Sequence, residues 1–207
     1  MKPFVGVIVG SAGSGKSTVA RQLARHHHAA LLDKDSITSD LLSIAMELQG
    51  QRGADRESND FYLHRLMPLE YSALFRACAD NLGNGVPVIL DAPFAAYLDQ
   101  PDYLRNAARD HDWPDVPVLV GYVTAPAETV RSRLMARENP RDEWKLSPWA
   151  EFWDTLGQRA PRWAGVTTVS IPNDAAPDLT LWQEAARTTI HGSETCSERS
   201  DRNEDAR

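Results

Sequence analysis

The sequence predicts an α/β fold in which a parallel β-sheet is covered by helices on both faces. Short apolar runs alternate with segments of helical periodicity along most of the 207 residues. The first apolar run, residues 4–9, leads into a glycine-rich loop, and a helical pattern follows that loop directly. Such alternation is typical of parallel sheets, because each helical crossover returns the chain across one face of the sheet. At this length we expect a single domain with a substantial core.

The glycine-rich loop at residues 10–17 reads Gly-Ser-Ala-Gly-Ser-Gly-Lys-Ser, which is the phosphate-binding (Walker A) pattern. Its glycines allow the backbone to approach phosphates closely, and its amide groups and the following helix start attract the β-phosphate. Lys16 is expected to reach the β- and γ-phosphate oxygens, and the Ser17 hydroxyl to bind Mg²⁺. The candidate residues for binding ATP are Gly10, Ser11, Ala12, Gly13, Ser14, Gly15, Lys16, Ser17 and Thr18.

The other elements follow from periodicity and from the positions of glycine and proline. We expect helices over 15–28, 36–48, 126–138 and 178–190, and strands over 29–33, 86–91, 116–124 and 165–171. A polar connector (49–60) precedes a helical stretch (61–82) that Pro68 should break or bend. The domain then covers residues 1–191. Residues 192–207 contain almost nothing apolar and are predicted to be disordered.

The bulk composition limits the classes of partner. The fractions of hydrophobic (42%) and charged (25%) residues are those of an ordinary globular protein, and no apolar run approaches the length of a membrane span. A net charge of −7 argues against a constitutive nucleic-acid binder. Two distant cysteines, Cys78 and Cys196, favour a reducing cytoplasm over a disulfide framework. We expect a monomer or a homodimer.

Asp35 directly follows the second predicted strand. Functional groups of open α/β sheets gather at the carboxyl ends of the strands, so Asp35 could accept a proton from an acceptor hydroxyl near the γ-phosphate. The alternative is that Asp35 caps the following helix, a role for which Ser36 competes. Asp33 is a second, less favoured candidate for the base.

Asp91 closes the third predicted strand, after the run Val-Ile-Leu. An acid at the end of an apolar strand beside the phosphate loop is the Walker B pattern. It predicts that Asp91 helps to hold Mg²⁺, together with Ser17.

Four arginines lie at or beyond the helix that follows the fourth strand. Arginine grips phosphate oxygens in two places, and a closing segment that carries arginines stabilises the charge that develops on the γ-phosphate. Arg137 and Arg141, at the end of the helix and in the loop beyond, are the candidate catalytic arginines of a lid-like segment over 137–150. For Arg131 we favour a solvated position. Arg133 shares a helix face with Arg137.

The chain resembles the small P-loop kinases in four features: the phosphate loop, the Asp33-Lys34-Asp35 segment, the run ending at Asp91 and the arginine group. That group includes phage polynucleotide 5′-hydroxyl kinase, chloramphenicol phosphotransferase, zeta toxins, and shikimate and gluconate kinases. The resemblance covers roughly residues 3–172. It implies a three-layer P-loop NTPase fold with a five-stranded parallel sheet in the order 2-3-1-4-5. It also implies that a helical region, here 36–85, covers the acceptor.

The resemblance bears on individual residues as well. In the polynucleotide kinase the general base follows a basic residue, as Asp35 follows Lys34, but that kinase has an arginine where this chain has Thr38. Several runs, among them Pro140-Arg141-Asp142-Glu143-Trp144-Lys145-Leu146, are similar to those of uncharacterised bacterial ATP-binding proteins. Residues 172–174 lie where relatives surround the adenine. Residues that could contact the acceptor or a ring, or simply pack in the interior, are Glu70, Tyr71, Phe94, Trp144, Trp149 and Trp153.

These observations favour an ATP:hydroxyl phosphotransferase acting on a small molecule such as a nucleoside, sugar, antibiotic or metabolite. Asp35 would then be the base, with Lys16, Mg²⁺ and the arginine lid neutralising the phosphates. Two alternatives remain: a polynucleotide 5′-hydroxyl kinase, against which Thr38 and the acidic net charge argue, and a non-catalytic ATP-binding regulator.

Overall fold

The computed structural model describes residues 2–52, 56, 59–139 and 142–191, and its centre is one sheet of five parallel strands. The strand order is β2-β3-β1-β4-β5, so the order implied by the resemblance is confirmed. The strands are β1 (Val5–Val9), β2 (Ala30–Asp33), β3 (Val88–Asp91), β4 (Val118–Thr124) and β5 (Thr167–Pro172).

Eight α-helices occur in the described part of the chain, and π-helical turns at Tyr62–Leu66, Trp153–Gly157 and Arg187–His191 adjoin three of them. The helices are α1 (Lys16–His26), α2 (Lys34–Leu48), α3 (Met67–Gly83), α4 (Tyr103–Asp110), α5 (Ala127–Ala136), α6 (Glu143–Leu146), α7 (Trp149–Phe152) and α8 (Thr180–Ala186). The chain between β2 and β3 is therefore mainly helical, as expected. None of the helices described is long and apolar enough to cross a membrane.

Side chains of successive strand residues point to opposite faces, which divides the core into two layers. Val7 packs on one face, against α3 and α4. Its neighbour Ile8 packs on the other face, against α1 and α8. The central strands are therefore apolar on both faces, as is typical of strands in a parallel sheet that helices cover on both sides.

Local features explain where helix α2 begins, why Pro68 is tolerated and why helix α4 was not predicted. Helix α2 begins two residues early, at Lys34, because the side chain of Asp33 caps it. Pro68 lies in the first turn of α3, where a missing backbone donor is tolerated, so it marks a boundary as expected. Helix α4 escapes prediction because it is short and only Leu104 and Ala107 bury apolar side chains. The predicted disordered tail, 192–207, lies outside the described residues.

The strand register brings acidic side chains to one edge of the sheet. Asp33, the last residue of β2, is paired with Asp91, the last residue of β3. Asp91 is also paired with Ile8 of β1, one residue before that strand ends. The loop after β1 and the start of α2 therefore begin at the same edge as these two carboxylates.

Candidate functional site

The loop after β1 has a backbone that requires glycine at several positions. Gly10, Gly13 and Gly15 all have positive φ angles, of 152°, 80° and 91°. A Cβ atom at Gly10 would lie 2.4 Å from the carbonyl oxygen of Val123, and one at Gly15 would lie 2.1 Å from the side-chain nitrogen of Asn173. Both the backbone angles and the close packing therefore exclude larger residues.

The outer side of the loop is fixed by two side chains from distant elements. The Nδ2 of Asn173 donates to the carbonyl oxygen of Ser14 over 2.8 Å, and the Nη1 of Arg133 lies 3.3 Å from the same oxygen. Arg133 also donates to the carbonyl oxygen of Asn173, at 3.0 Å. Because the C=O and N–H of one peptide point in opposite directions, the N–H of Gly15 is directed away from Asn173 and Arg133.

Ser14 adds a second sign that the loop is built around a ligand. Its side chain is fully buried, and its Oγ has no hydrogen-bond partner among the residues described. Buried polar atoms are satisfied in the great majority of cases, so an orphaned hydroxyl in this loop is consistent with a missing anionic partner.

Lys16, Ser17 and Asp91 come together where α1 begins beside the end of β3. The Nζ of Lys16 donates to the carbonyl oxygen of Ser11 over 3.1 Å, so this amine rests on its own loop. Burial lowers the pKa of Lys16, and the charge of Asp91 opposes that effect. Burial raises the pKa of Asp91, against the hydrogen bond from Ser17 and the charge of Lys16.

Asp35 lies in the first turn of α2, but neither Asp35 nor Ser36 caps this helix. The Oδ1 of Asp33 accepts hydrogen bonds from the backbone N–H groups of Asp35 (2.9 Å) and Ser36 (3.3 Å), so Asp33 is the cap. The capping alternative considered for Asp35 and Ser36 is therefore wrong. The Asp35 side chain is left 47% exposed, beside the phosphate loop.

Two cations hold the carboxylate of Asp35. The Nζ of Lys34 lies 3.1 Å from its Oδ1, and the Nη2 of Arg56 lies 3.2 Å from the same oxygen. Burial acts to raise the pKa of Asp35, but the two ion pairs outweigh it, so the pKa lies below its ordinary value. Asp35 is therefore ionised at neutral pH.

Glu70 is the centre of a buried polar network behind Asp35. Its Oε1 lies 2.6 Å from the Nζ of Lys34 and accepts from the hydroxyl of Thr38 at 2.9 Å. Its Oε2 accepts from the hydroxyl of Tyr62. Glu70 is thus neither an exposed acid nor an open acceptor contact. It fixes the start of α2 against α3.

Of the other candidates, Tyr71 and Phe94 are buried, and Trp149 and Trp153 are half-buried. Phe94 is fully buried, and its backbone N–H donates to the hydroxyl of Tyr71 over 3.0 Å. Trp149 and Trp153 are stacked with ring centroids 5.6 Å apart, in a cluster with residues of α5. These two tryptophans therefore pack beside α5. Trp144 remains 40% exposed.

The arginine group is divided between three environments. Arg131 is exposed, as expected, and its guanidinium lies over the ring of Trp149. Arg133 braces the phosphate loop rather than sharing a role with Arg137. Arg137 forms a two-point ion pair with the buried carboxylate of Asp142. Arg141 lies outside the described residues and stays a prediction.

The sequence did not predict where three cationic side chains of the site lie. Arg56 comes from the polar connector, where nothing in the local sequence indicates that a guanidinium is buried. Lys145 is buried beside Asp142, and its only sequence signal is its place in the run from Pro140 to Leu146 that resembles bacterial ATP-binding proteins. Arg133 was expected only to share a helix face with Arg137, and it holds the outer side of the phosphate loop.

Comparison with known proteins agrees with this geometry. No curated protein matches the chain. The fold is similar to a "putative kinase" from Chloroflexus aurantiacus (TM-score 0.66, 18% identity, 92% of this chain and 100% of that chain). It is also similar to a sugar kinase from a Janibacter species (TM-score 0.56, 19% identity, 90% of this chain and 94% of that chain). At these identities the likeness shows the fold alone.

A family model described as an AAA domain matches residues 5–157, which include the phosphate loop, Asp35, Asp91 and the lid-like segment. This range covers well over half of the chain. The protein therefore belongs to the AAA domain family, and within it has a P-loop kinase-like fold.

Proposed function

We propose that this protein is an ATP-dependent phosphotransferase that moves the γ-phosphate of ATP to a hydroxyl group of a small molecule. The observation that carries the proposal is the meeting of three groups with complementary roles at one edge of the sheet. Lys16, Asp91 and Asp35 lie close enough that the charge of each influences the ionisation of another. A phosphate-binding amine, a candidate metal ligand and an ionised base together make up the donor half of a kinase site.

The phosphate loop supplies the site for the nucleotide. Three features of the loop suit a bound phosphate. They are its positive-φ glycines, the Gly15 N–H that points away from Asn173 and Arg133, and the Ser14 hydroxyl that has no hydrogen-bond partner among the described residues. Lys16 would leave the carbonyl oxygen of Ser11 and reach the β- and γ-phosphate oxygens. Asn173 and Arg133 hold the outer side of the loop through the carbonyl oxygen of Ser14.

The residues beside the loop fit a magnesium ion. Mg²⁺ is usually held by one or two carboxylates together with substrate phosphates and water, and Ser17 and Asp91 offer one hydroxyl and one carboxylate side by side. When bound, the ion would neutralise charge on the β- and γ-phosphates.

Transfer would proceed by in-line displacement. The acceptor oxygen forms a bond to the γ-phosphorus, the bond from that phosphorus to the β–γ bridging oxygen breaks, and ADP leaves. Asp35 takes the proton of the acceptor hydroxyl. A carboxylate with a low pKa is a weak base, which suits a loose transition state in which little proton transfer is needed early. Arg137 and Arg141 would stabilise the charge on the transferred group.

Two observations support a small acceptor. The sugar kinase with the same fold is a precedent for an alcohol acceptor on this architecture. The acidic net charge argues against a polyanionic nucleic-acid end as the acceptor.

Replacement of Lys16 tests the proposal. Lys16→Ala should lower phosphate transfer from radiolabelled ATP at least about a hundredfold, because a charged phosphate contact is lost in the transition state. Transfer is measured with a panel of sugars, nucleosides and hydroxylated antibiotics as acceptors. Lys2→Ala, at an exposed position, is the matched control and should keep full activity. Full activity of a folded Lys16→Ala protein would contradict the proposal.

A further inference from the structure

Helix α2 carries an apolar stripe on its solvent side. Of the eight large apolar side chains that are exposed in the described part of the chain, four lie on this one helix: Ile37, Leu41, Ile44 and Leu48. Leu41 and Leu48 are 72% and 80% exposed. The other four lie on four different helices. Scattered apolar residues are normal on a protein surface, whereas a row of them on one element indicates an interaction site.

The spacing of the stripe is that of a coiled-coil helix. Its members are separated by four, three and four residues, which is the a/d repeat with isoleucine at d and leucine at a. At the rise of an α-helix the stripe is about 16 Å long, or about three turns. A narrow, straight apolar row of this length matches the way in which one amphipathic helix packs along another.

Helix α2 is held to the rest of the protein by a different face. Leu42 and Met46 are buried and pack in a small apolar cluster with Tyr62. The hydroxyl of Thr38 donates to the carboxylate of Glu70 in α3 over 2.9 Å. Adjacent residues of a helix differ in direction by about 100°, so this anchored row lies beside the stripe. The stripe is therefore a second apolar face, which the packing of α2 leaves uncovered.

The charges beside the stripe are acidic. Asp40 and Glu47 are exposed, and each directly precedes a leucine of the stripe. The only basic residue of α2 is Lys34, which is buried, and the last turn of the helix carries none. Both carboxylates, together with the negative end of the helix dipole, therefore favour a partner that brings lysine or arginine to the edge of the stripe.

The same charges disfavour two other occupants. A second copy of α2 that packed antiparallel on the stripe would place acids beside acids. Packed parallel, it would place Asp40 and Glu47 beside the uncharged residues Thr38 and Ala45. An anionic membrane surface would be repelled by both carboxylates. A partner helix with a basic edge, by contrast, complements the stripe and the charges together.

We propose that the apolar stripe of α2 binds an amphipathic helix of a partner protein. The apolar residues of that helix pack along the stripe, and its lysine or arginine side chains pair with Asp40 and Glu47. Asp35 lies two residues before Ile37, and residues two apart on a helix point to nearly opposite sides. The partner therefore binds on the far side of α2 from the candidate base, and its binding does not require nucleotide.

Two synthetic helical peptides of about 18 residues, long enough to cover the stripe, provide the test. Both carry leucine at a and d; one has lysine at e and g, and the other has glutamate there. Fluorescence anisotropy at low salt should show that the lysine peptide binds the full chain. The glutamate peptide should bind at least about tenfold more weakly, because like charges then meet beside the stripe. Equal binding of the two peptides, or no binding of the lysine peptide, would overturn the inference.

A substitution within the stripe separates docking from simple attraction to a protein with a net charge of −7. Leu41→Ser should weaken binding of the lysine peptide at least about tenfold, because apolar contact at the centre of the interface is lost. Leu181→Ser, at a 50% exposed leucine of α8, is the matched control and should bind as the wild type does. Both variants should keep the wild-type urea midpoint. Equal peptide binding by the two variants would show attraction by charge alone and overturn the inference.

Charge reversal of the preference and oligomeric state give two further readouts. Asp40→Asn combined with Glu47→Gln should reduce the preference for the lysine peptide to less than about threefold. An unchanged preference would overturn the pairing with these acids. Sedimentation velocity should show the same oligomeric state for the wild type and for Leu41→Ser. Self-association that Leu41→Ser abolishes would show that a second copy covers the stripe, which would also overturn the inference.

Discussion

Asp35 combines an exposed carboxylate with cationic neighbours that are themselves held in place. Lys34 is bound to Asp35 and also to Glu70, whose carboxylate is fully committed inside the protein. Arg56 lies with its guanidinium over the ring of Tyr62, and its Nε is buried without a hydrogen-bond partner in the described residues. The ion pairs therefore fix the direction of the Asp35 carboxylate as well as its charge.

Removal of Arg56 should raise the pKa of Asp35. Arg56→Met deletes one of the two ion pairs that outweigh burial, so the pKa should move up towards or beyond the ordinary aspartate value of about 3.9. The wild-type pKa is depressed in the folded state. The ion pairs therefore stabilise the fold above the unfolded-state pKa, and this stabilisation is lost as the pH falls through the folded-state pKa.

The measurement is a ¹³C NMR titration of the Asp35 carboxyl carbon, which needs no acceptor. Arg105→Met is the control, because the pair of Arg105 with Asp102 is exposed and lies outside the site. An Asp35 pKa that is the same in Arg56→Met and in the wild type would show that Arg56 does not govern the charge of Asp35.

At the residue level, the sequence reveals those functional groups that belong to a short continuous motif or that directly follow a predicted strand. Lys16 and Ser17 belong to one eight-residue pattern, and Asp91 ends an apolar strand. The position of Asp35 follows from the strand before it. Arg56, by contrast, reaches Asp35 across 21 residues, and its burial depends on the packing of Tyr62. Burial of a single cation is a tertiary property that no local pattern encodes.

At the level of elements, α8 is fitted to the sheet by two glycines on adjacent strands. The indole of Trp182 is fully buried over Gly6 of β1 and Gly121 of β4. A Cβ atom at Gly121 would lie 2.8 Å from Cδ1 of Ile171, 3.0 Å from Cδ1 of Ile8 and 3.2 Å from the Trp182 ring. The absent side chains therefore make room for the largest residue of this layer.

We expect Gly121→Ala to destabilise the fold by about 1–3 kcal/mol, the usual cost of overpacking a close-packed core. The control is Gly83→Ala at the end of α3, where an added Cβ meets nothing within 4 Å; it should be neutral or stabilising by about 0.4–1 kcal/mol. Urea unfolding measures both variants. Equal stabilities for the two variants would show that α8 can move away from the sheet at little cost.

The elements that can be predicted from the sequence are those with a clear pattern of apolar residues. Strands such as β3 and β4 are continuous apolar runs between turn residues, and α1 follows directly from the phosphate loop. Helix α4 is missed because eight residues with two buried apolar side chains give almost no periodic signal. The short helices α6 and α7 are defined by their packing on α5 and by Pro148 between them, rather than by any stripe of their own.

At the scale of the whole molecule, the two core layers share the same strands. Neighbouring residues of one strand, such as Leu119 and Val120, belong to opposite layers, so neither layer can be exposed while the other stays packed. The phosphate loop is continuous with β1, the central strand, and is braced by Asn173 beyond β5. Ligand binding at the loop should therefore stabilise the sheet and both layers together.

Unfolding should accordingly be a single transition that nucleotide binding shifts as a unit. Trp163 lies in one core layer and Trp182 in the other, so ¹⁹F NMR of fluorotryptophan-labelled protein reports on each layer separately during urea unfolding. Both signals should have the same midpoint. AMP-PNP with Mg²⁺ at a hundred times its Kd should add about 2.7 kcal/mol and move both midpoints up by about 1 M urea. In Lys16→Ala the common midpoint should barely respond to nucleotide. Separate midpoints for the two tryptophans, or a shift of only one of them, would contradict a single cooperative unit coupled to the phosphate loop.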